Sequence, residues 1–149
     1  MSYKGKYKIQ NPSKYSGSQP NNIVWRSLWE RKFMIFCDLN PKIIKWESEE
    51  VIIPYVSKLD GKVHRYFMDF KIQYKNREGK IETTLVEIKP FIKTTSPIRS
   101  SKVTQRYLRE VEEYAKNISK WEATKEYCKQ KGWNFRIFTE YELGLKKRK

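Results

Sequence analysis

The sequence predicts an α/β domain with a mixed sheet, because its predicted elements follow the order helix, antiparallel strands, helix, strand. Two turn sequences, KLDGK and NREGK, separate short stretches that are rich in β-branched and aromatic residues and so indicate hairpins. A long helical segment then precedes one more extended stretch, WNFRIFT. The 149 residues suggest one domain with room for a sizeable core.

The first helix is predicted over residues 24–38. One stripe at helical spacing comprises Trp25, Leu28, Trp29, Lys32 and Phe36. Glu30 lies on the flank of this stripe, and Pro41 cannot continue the helix. The stripe indicates a helix that packs one of its sides against a core.

Short extended segments follow this helix. Strands are predicted at residues 42–48 and 50–56, and alternating apolar and polar positions predict a third strand over residues 63–75. Residues 81–89, IETTLVEIK, complete a meander, and Pro90 ends its pairing. Because the strands are joined by short turns, neighbouring strands are expected to be antiparallel.

A polar loop, residues 90–101, connects the meander to a second helix. That helix is predicted over residues 102–131, either continuous or broken near Asn117. Gly132 suits the position after a helix C-terminus. Residues 133–139 form the last predicted strand.

The charge of the chain is strongly one-sided. Its 32 Lys and Arg residues against 17 Asp and Glu residues give a formal net charge of +15. Such a field attracts phosphate polymers, so nucleic acid is the first partner predicted and an anionic membrane surface the second. No apolar run approaches the length that a membrane span needs, and the polar start MSYKGKYKIQ does not resemble a signal peptide.

Composition divides the chain into three parts. Residues 1–22 form a basic arm, mobile or laid along a partner, residues 23–144 form the folded domain, and residues 145–149 form a basic tail. The cysteines, Cys37 and Cys128, are far apart and are expected to be small buried thiols in a reducing compartment rather than zinc ligands.

Charged residues interrupt two otherwise apolar strands. In LVEIK, Glu87 and Lys89 are two positions apart and share one face of a strand, while Ile88 points to the core. Asp69, in YFMDF on the preceding strand, can reach the same patch. Two carboxylates this close repel each other, and a divalent cation between them removes the repulsion. Mg²⁺ fits best, with Mn²⁺ as a substitute, since it takes hard oxygen ligands and keeps several waters.

This pattern has two interpretations. Lys89 can hold the attacking water and neutralise charge on a pentavalent phosphorus, which predicts phosphodiester hydrolysis. Alternatively, Glu87 and Lys89 form a salt bridge on a half-exposed strand, since the spacing is short and both residues are common. The basic chain, the hairpin order and the preceding helix with Glu30 favour the first interpretation.

These residues resemble a known group of enzymes. MDF…LVEIK is similar to the active-site signature of the PD-(D/E)xK, or restriction-endonuclease-like, nucleases, and RSLWERKF resembles the first helix of their transposon-encoded branch. More closely, RSLWERKFMIFCD, WESEEVIIPY, GKVHRYFMDF and FRIFTEYELG together resemble the head completion nucleases of tailed bacteriophages, over residues 25–144. The resemblance implies an αβββαβ core with a mixed, mainly antiparallel central sheet, flanked here by basic terminal arms.

The resemblance also implies roles for four residues. Asp69 and Glu87 would bind the metal, Lys89 would be the catalytic lysine, and the helix carboxylate of Glu30 would complete the site or orient water. The family pattern often has Pro before the Asp, where this chain has Met68.

Other side chains compete for places at this site. In WESEE, Glu49 is an alternative to Glu30 as the third carboxylate of the site. In the other interpretation, Glu47 and Glu49 are solvated acids at a strand edge. His64, the only histidine, either touches a phosphate or lies packed at an edge. Cations and hydroxyls after the catalytic strand predict sequence-tolerant contacts with phosphates. The predicted nucleic-acid-binding residues are Lys93, Arg99, Lys102 and Arg106.

Three functions follow from these observations. The first is a Mg²⁺-dependent endo- or exonuclease for double-stranded DNA. By the resemblance it trims or cuts packaged DNA so that a phage head can join a tail, contacts portal or neck proteins, and works in the host cytoplasm or at the head–tail vertex. The second is a non-catalytic DNA-binding protein that plugs or bridges that vertex. The third is an RNA-processing nuclease or ribosome-associated basic protein, although no RNA-recognition signature is evident.

Overall fold

The structure, a computed structural model, describes residues 4–148. In chain order the elements are β1 (Gly5–Tyr7), β2 (Ile23–Trp25), α1 (Leu28–Leu39), β3 (Ile43–Ser48), β4 (Ile52–Val56), β5 (Val63–Phe67), β6 (Phe70–Lys75), β7 (Ile81–Ile88), α2 (Gln105–Lys131) and β8 (Asn134–Phe138), with 3₁₀ turns at Pro12–Lys14 and Phe91–Thr94.

A four-stranded sheet in the order β3-β6-β7-β8 forms the centre of the molecule. β3, β6 and β7 are antiparallel neighbours, whereas β8 runs parallel to β7. A parallel neighbour needs a long crossover, and α2 supplies it. The predicted α/β class with a mixed, mainly antiparallel sheet is therefore confirmed. β1 with β2, and β4 with β5, form separate two-stranded sheets.

The two helices cover opposite faces of the central sheet. Along β7, Val86 and Ile88 belong to a core cluster with residues of α1, and Leu85 belongs to a second cluster with residues of α2. This alternation follows from the two-residue repeat of a strand. The thiols of Cys37 and Cys128 are buried and free, one in each cluster, as predicted.

Helix α1 begins later than predicted and buries a different face. Residues 23–25 pair with β1 as a strand, and the side chain of Ser27 caps the helix by accepting a hydrogen bond from the Glu30 amide (3.1 Å). The predicted stripe was wrong, because Leu28 and Phe36 are 53% and 46% exposed. The side chains that α1 buries are Phe33, Met34, Cys37 and Asp38. Apolar residues surround most of this helix, so spacing alone did not select the buried face.

The strand predicted over residues 63–75 is two strands in different sheets. β5 ends at Phe67 and β6 begins at Phe70, with Met68 and Asp69 between them. At this break the backbone turns from the β4–β5 hairpin into the central sheet, and the Met68 amide donates to the Val51 carbonyl (2.9 Å). Asp69 therefore lies at a junction of two sheets.

Helix α2 is continuous from Gln105 to Lys131, without the break considered near Asn117. Asn117 is one of its buried residues. Gly132, at φ +74°, adopts the left-handed conformation that ends the helix. None of the helices within residues 4–148 is long and apolar enough to cross a membrane.

The described part of the N-terminal arm packs against the domain, whereas composition predicted an arm that is mobile or laid along a partner. Its β1 pairs with β2, and the buried carboxylate of Asp38 accepts hydrogen bonds from the Tyr7 hydroxyl (2.7 Å), the Gln10 amide (2.8 Å) and the Asn11 amide (3.0 Å). In the tail, Arg148 pairs with Glu142 at 2.8 Å. Residues 1–3 and 149 of the predicted arm and tail lie outside the described residues, and the domain boundaries at 22 and 144 stay predictions.

Candidate active site

Two carboxylates meet where β6 begins and β7 ends. The register pairs Phe70 with Val86, which places Asp69, one residue before, beside Glu87. The Ile88 amide donates a hydrogen bond of 2.8 Å to Oδ2 of Asp69. The sheet therefore brings together the two acids that the sequence predicted, and it fixes one of them through the backbone.

Helix α2 holds the second carboxylate. Glu87 is only 6% exposed, and Nε1 of Trp121 donates a hydrogen bond to its Oε2. The Tyr66 hydroxyl lies close by, and burial, followed by the charge of Glu87, raises the pKa of Tyr66 far above its ordinary range. A neutral tyrosine and an indole N–H thus surround a buried carboxylate.

Burial and the neighbouring acids both act on the pKa of Asp69. Burial raises the pKa of Asp69 well above its usual value, and the charges of Glu87 and Glu30 raise it further. The hydrogen bond from Ile88 and the charge of Lys89 act in the opposite direction without restoring the ordinary pKa. Without a cation, the site therefore resists full ionisation.

Arg26 donates hydrogen bonds to both Glu30 and Glu49, the two candidates for the third carboxylate of the site. Its backbone amide donates to Oε1 of Glu30 (3.2 Å), and its guanidinium binds both oxygens of Glu49 (2.7 and 3.2 Å). Burial raises the pKa of Glu30, and the charges of Glu49 and Glu87 add to this despite the bond from Arg26. Glu47 pairs instead with Lys71 (3.3 Å), at the strand edge.

The donor set fits a cation that needs few protein ligands. No group of three or more His, Cys, Asp or Glu side chains within residues 4–148 is arranged to hold a metal, so a third carboxylate is not assembled with Asp69 and Glu87. In each of these two, one oxygen is held by a protein donor and the other receives no hydrogen bond from the described residues. Mg²⁺ binds through one or two carboxylates and several waters, so Asp69 and Glu87 could hold it.

Two lysines lie near the acids. The Lys89 amide donates to the Phe138 carbonyl (3.0 Å), which fixes this residue where β7 meets β8. Lys120, on α2, is half-buried with its Nζ 5.1 Å from the ring centroid of Tyr66. Burial lowers the pKa of Lys120, against the charge of Glu87.

Sequence reasoning missed Tyr66, Lys120 and the role of Trp121. Trp121 was expected only as a core residue, and its 5% exposure agrees with that. The helical spacing of Asn117 and Trp121 marks one face of α2, but it does not say which strand residue the indole meets. His64 pairs with Asp60 (2.8 Å) and stacks on Tyr55, which places it in the β4–β5 hairpin rather than beside the acids.

Two of the four predicted phosphate-binding residues line a cleft of about 550 Å³ between the loop 92–98 and the first half of α2. We call it the α2 cleft. Lys93 and Arg106 line it, and each is paired with a carboxylate of α2, Glu113 and Glu110, at 3.2 Å. The described residues give Arg99 and Lys102 no ion pair.

Comparison with known proteins identifies the family of this chain. The profile of the family described as TnsA-like endonuclease N terminal matches residues 40–140, about two thirds of the chain. The chain belongs to the TnsA-like endonuclease family. The matched region contains Asp69, Glu87 and Lys89, whereas Glu30 lies before it.

A relative of this TnsA-like endonuclease carries a more specific name. The head completion nuclease of Enterobacteria phage T4 is 39% identical over 144 residues, which cover 94% of this chain and 93% of that protein. Both comparisons point to a nuclease, which confirms the nuclease resemblance drawn from the sequence motifs, and the name of the phage relative agrees with the more specific resemblance.

Proposed function

We propose that this TnsA-like endonuclease is a Mg²⁺-dependent DNA nuclease of the PD-(D/E)xK type that trims or cuts packaged DNA so that phage heads can join tails. The observation that carries the proposal is the pair of Asp69 and Glu87 at the ends of adjacent strands, with Lys89 two residues beyond Glu87. The family membership and the phage relative support it.

Asp69 and Glu87 would hold the metal through the oxygen that each leaves without a protein donor. Bound there, Mg²⁺ would lower the pKa of a water and polarise a phosphoryl oxygen. Burial and the charges of Glu87 and Glu30 together raise the pKa of Asp69, and a cation bound here would offset both effects. Mn²⁺ would substitute, because it accepts the same hard oxygen ligands.

Lys89 and Glu30 supply the remaining chemistry. The ammonium of Lys89 orients the attacking water and stabilises negative charge that grows on the phosphoryl oxygens in the transition state. Glu30, whose pKa is raised mainly by burial, would accept a proton from that water. Glu49 is less suited to this role, because both of its oxygens bind Arg26.

Double-stranded DNA would bind along the basic loop and the start of α2, through Lys93, Arg99, Lys102 and Arg106. The Lys93 and Arg106 ion pairs are at least partly exposed, so each contributes only about 0.2–1 kcal/mol and a phosphate can replace the carboxylate. The protein would act in the host cytoplasm during assembly, in contact with portal or neck proteins, and remain at the head–tail vertex.

The test is cleavage of supercoiled plasmid and linear duplex by the full chain. Mg²⁺ or Mn²⁺ should switch cleavage on and EDTA should stop it. Lys89→Ala should lower turnover by about 100-fold or more while DNA affinity, measured in Ca²⁺, stays within about twofold, since the ammonium acts mainly in the transition state. Lys80→Ala, in the turn at the other end of β7, is the matched control.

Cleavage by Lys89→Ala at the parental rate, or full activity in EDTA, would refute the proposed mechanism. If the parent binds DNA but cuts neither DNA nor RNA with either metal, the protein is instead the DNA-binding head–tail component that the sequence left as the alternative.

A further inference from the structure

Two segments connect the α2 cleft to the candidate catalytic pair, the loop after β7 and helix α2. One of its walls begins at Ile92, three residues after Lys89, and Asn117 belongs to its lining. Asn117 lies one turn of α2, about 6 Å along the axis, before Trp121. Trp121 in turn donates its hydrogen bond to Glu87. If a phosphate of a nucleic-acid strand lies at Glu87, the α2 cleft is therefore the neighbouring space along α2.

The size of the cleft suits a small part of a nucleic acid. Its volume of about 550 Å³ is typical of pockets for small ligands, about 300–1,000 Å³. A double helix, whose major groove alone is about 12 Å wide, needs a much larger surface. The cleft has room for a nucleotide that has left its duplex.

The lining has the chemistry of a single-strand site. Sites of this kind combine cations for the backbone with an aromatic ring for the base. Here the aromatic residue is Tyr114, and the cations are Lys93, Arg106 and Arg109. Glu113 and Glu110 pair with the first two cations, while Arg109 has no ion pair in the described part of the chain. The lining is thus basic even after its ion pairs are counted.

Asn117 adds an independent observation. It is 4% exposed, and its buried amide nitrogen has no hydrogen-bond partner between residues 4 and 148. A buried donor without an acceptor is unfavourable, and the edge of a nucleobase carries carbonyl and ring-nitrogen acceptors. The ion pair of Lys93 and Glu113 joins the two walls, so its exchange for a phosphate would let the walls separate and a base reach this nitrogen.

We propose that the α2 cleft binds an unpaired nucleotide of the DNA substrate, with the base against Tyr114 and Asn117 and the phosphate at Arg109. The preferred substrate is then DNA with a single-stranded tail or branch rather than uninterrupted duplex. This assignment rests on the proposed nuclease function and specifies its substrate class.

The experiment compares two hairpin DNAs that differ only in a short single-stranded tail, by fluorescence anisotropy with the full chain in Ca²⁺. The parent should bind the tailed DNA about tenfold more tightly than the blunt DNA, with a tail of one polarity or both. Tyr114→Ala should remove most of this preference and leave the affinity for blunt DNA unchanged. Tyr107→Ala, on the same helix outside the cleft, should behave like the parent.

A second pair of variants covers the case that Tyr114→Ala folds poorly. Arg109→Gln should also lower the preference for the tail, and Arg77→Gln, in the distant β6–β7 turn, should not. Equal binding of blunt and tailed DNA by the parent, or equal losses on both DNAs in the cleft variants, would overturn the assignment. Cleavage in Mg²⁺ without any preference for the tail would refute this assignment alone, whereas no cleavage of any DNA would refute the nuclease function itself.

Discussion

At the scale of single residues, one hydrogen bond from a helix organises the candidate site. The indole of Trp121 donates to one oxygen of the buried Glu87 and leaves the other free of protein donors among the described residues. A buried carboxylate that ionises needs such a donor, because water cannot reach all of its lone pairs. We infer that Trp121 is a positioning residue, which would orient Glu87 towards the metal ion that we propose it shares with Asp69.

Trp121→Phe should weaken metal binding more than it weakens the fold. The variant keeps a large ring in the core but loses the N–H that orients Glu87. Outer-shell changes of this kind typically cost about 10–100-fold in metal affinity. Electron paramagnetic resonance of free Mn²⁺ measures this without DNA or turnover. Trp133→Phe, a half-buried tryptophan just after α2, should bind Mn²⁺ like the parent. Unchanged Mn²⁺ affinity in Trp121→Phe would remove the positioning role.

Asp69→Asn should stabilise the metal-free protein at neutral pH. The folded-state pKa of Asp69 is raised, so its ionisation costs free energy in the folded protein. This cost is absent below the unfolded-state pKa of about 3.9 and grows as the pH rises towards the folded-state pKa. In EDTA, the melting temperature of the variant should therefore equal that of the parent near pH 4 and exceed it by several degrees near pH 8. In a domain of this size, each kcal/mol of unfolding free energy shifts the melting temperature by roughly 2–4 °C.

Asp60→Asn is the control for this experiment, because Asp60 is exposed and its pKa is lowered by the Lys62 amide and by His64. Asp60→Asn should not raise the melting temperature at pH 8. Saturating Mg²⁺ should reduce the advantage of Asp69→Asn by stabilising only the parent. A lower melting temperature for Asp69→Asn in EDTA at pH 8 would contradict a raised folded-state pKa of Asp69.

At the scale of elements, α1 anchors the N-terminal segment as well as carrying Glu30. Asp38, on the buried side of α1, accepts the hydrogen bonds of Tyr7, Gln10 and Asn11. Burial alone would raise the pKa of Asp38, but these bonds outweigh it and lower the pKa below its usual value. The first strand is therefore part of the folded unit, and its deletion would disturb α1 as well as remove positive charge.

Asp38→Ala should release this segment and destabilise the domain. Hydrogen bonds to a charged group contribute about 1.5–3 kcal/mol each, so a loss of at least about 3 kcal/mol is expected from urea unfolding at pH 7. Because the folded-state pKa is lowered, the contribution of Asp38 is present above the unfolded-state pKa of about 3.9 and is lost as the pH falls through the folded-state value. The difference in the free energy of unfolding between parent and variant should therefore decrease at acid pH.

Hydrogen exchange localises the effect of this variant. The amides of residues 5–11 should exchange faster in Asp38→Ala, whereas Asp60→Ala in the exposed β4–β5 turn should leave them protected. Normal protection of these amides in Asp38→Ala would show that the β1–β2 pairing alone holds the segment.

At the scale of the whole molecule, the net charge of +15 sets how DNA is bound. Phosphate contacts release counterions, so the affinity for duplex DNA should fall steeply as salt rises and depend little on sequence. Arg99→Gln and Lys102→Gln should each lower the log–log salt slope by about one unit. Lys80→Gln, at the far end of β7, should leave the slope unchanged, although it changes the net charge equally.

Titrations in Ca²⁺, which limits cutting, measure these slopes. A salt slope close to zero for the parent would mean that the basic surface faces a partner other than DNA. Equal effects of all three variants would mean that net charge, and not a defined contact surface, governs binding.

Much of this architecture was predictable because local sequence patterns specify it. Turn sequences separate β4 from β5 and β6 from β7, and Gly132 ends α2. Because side chains alternate along β7, Glu87 and Ile88 point to opposite faces of the sheet. The pair of Asp69 and Glu87 followed from the hairpin order, since neighbouring strands bring the ends of their segments together. Local chemistry of this kind acts over a few residues, so a sequence carries it directly.

Other features depended on contacts between distant segments. The buried face of α1 and the break at Met68 and Asp69 differ from the sequence-based expectations, because apolar residues are plentiful there and only packing chooses among them. The docking of β1 also differs from them, because the hydrogen bonds that hold this polar segment are made with β2 and Asp38, which are distant in the sequence. The same holds for Trp121, whose indole meets a strand residue 34 positions earlier. The sequence by itself determined the fold class and the placement of Asp69 beside Glu87. Tertiary structure decided which oxygens stay free, since burial and hydrogen bonding are properties of the assembled core and not of any one segment.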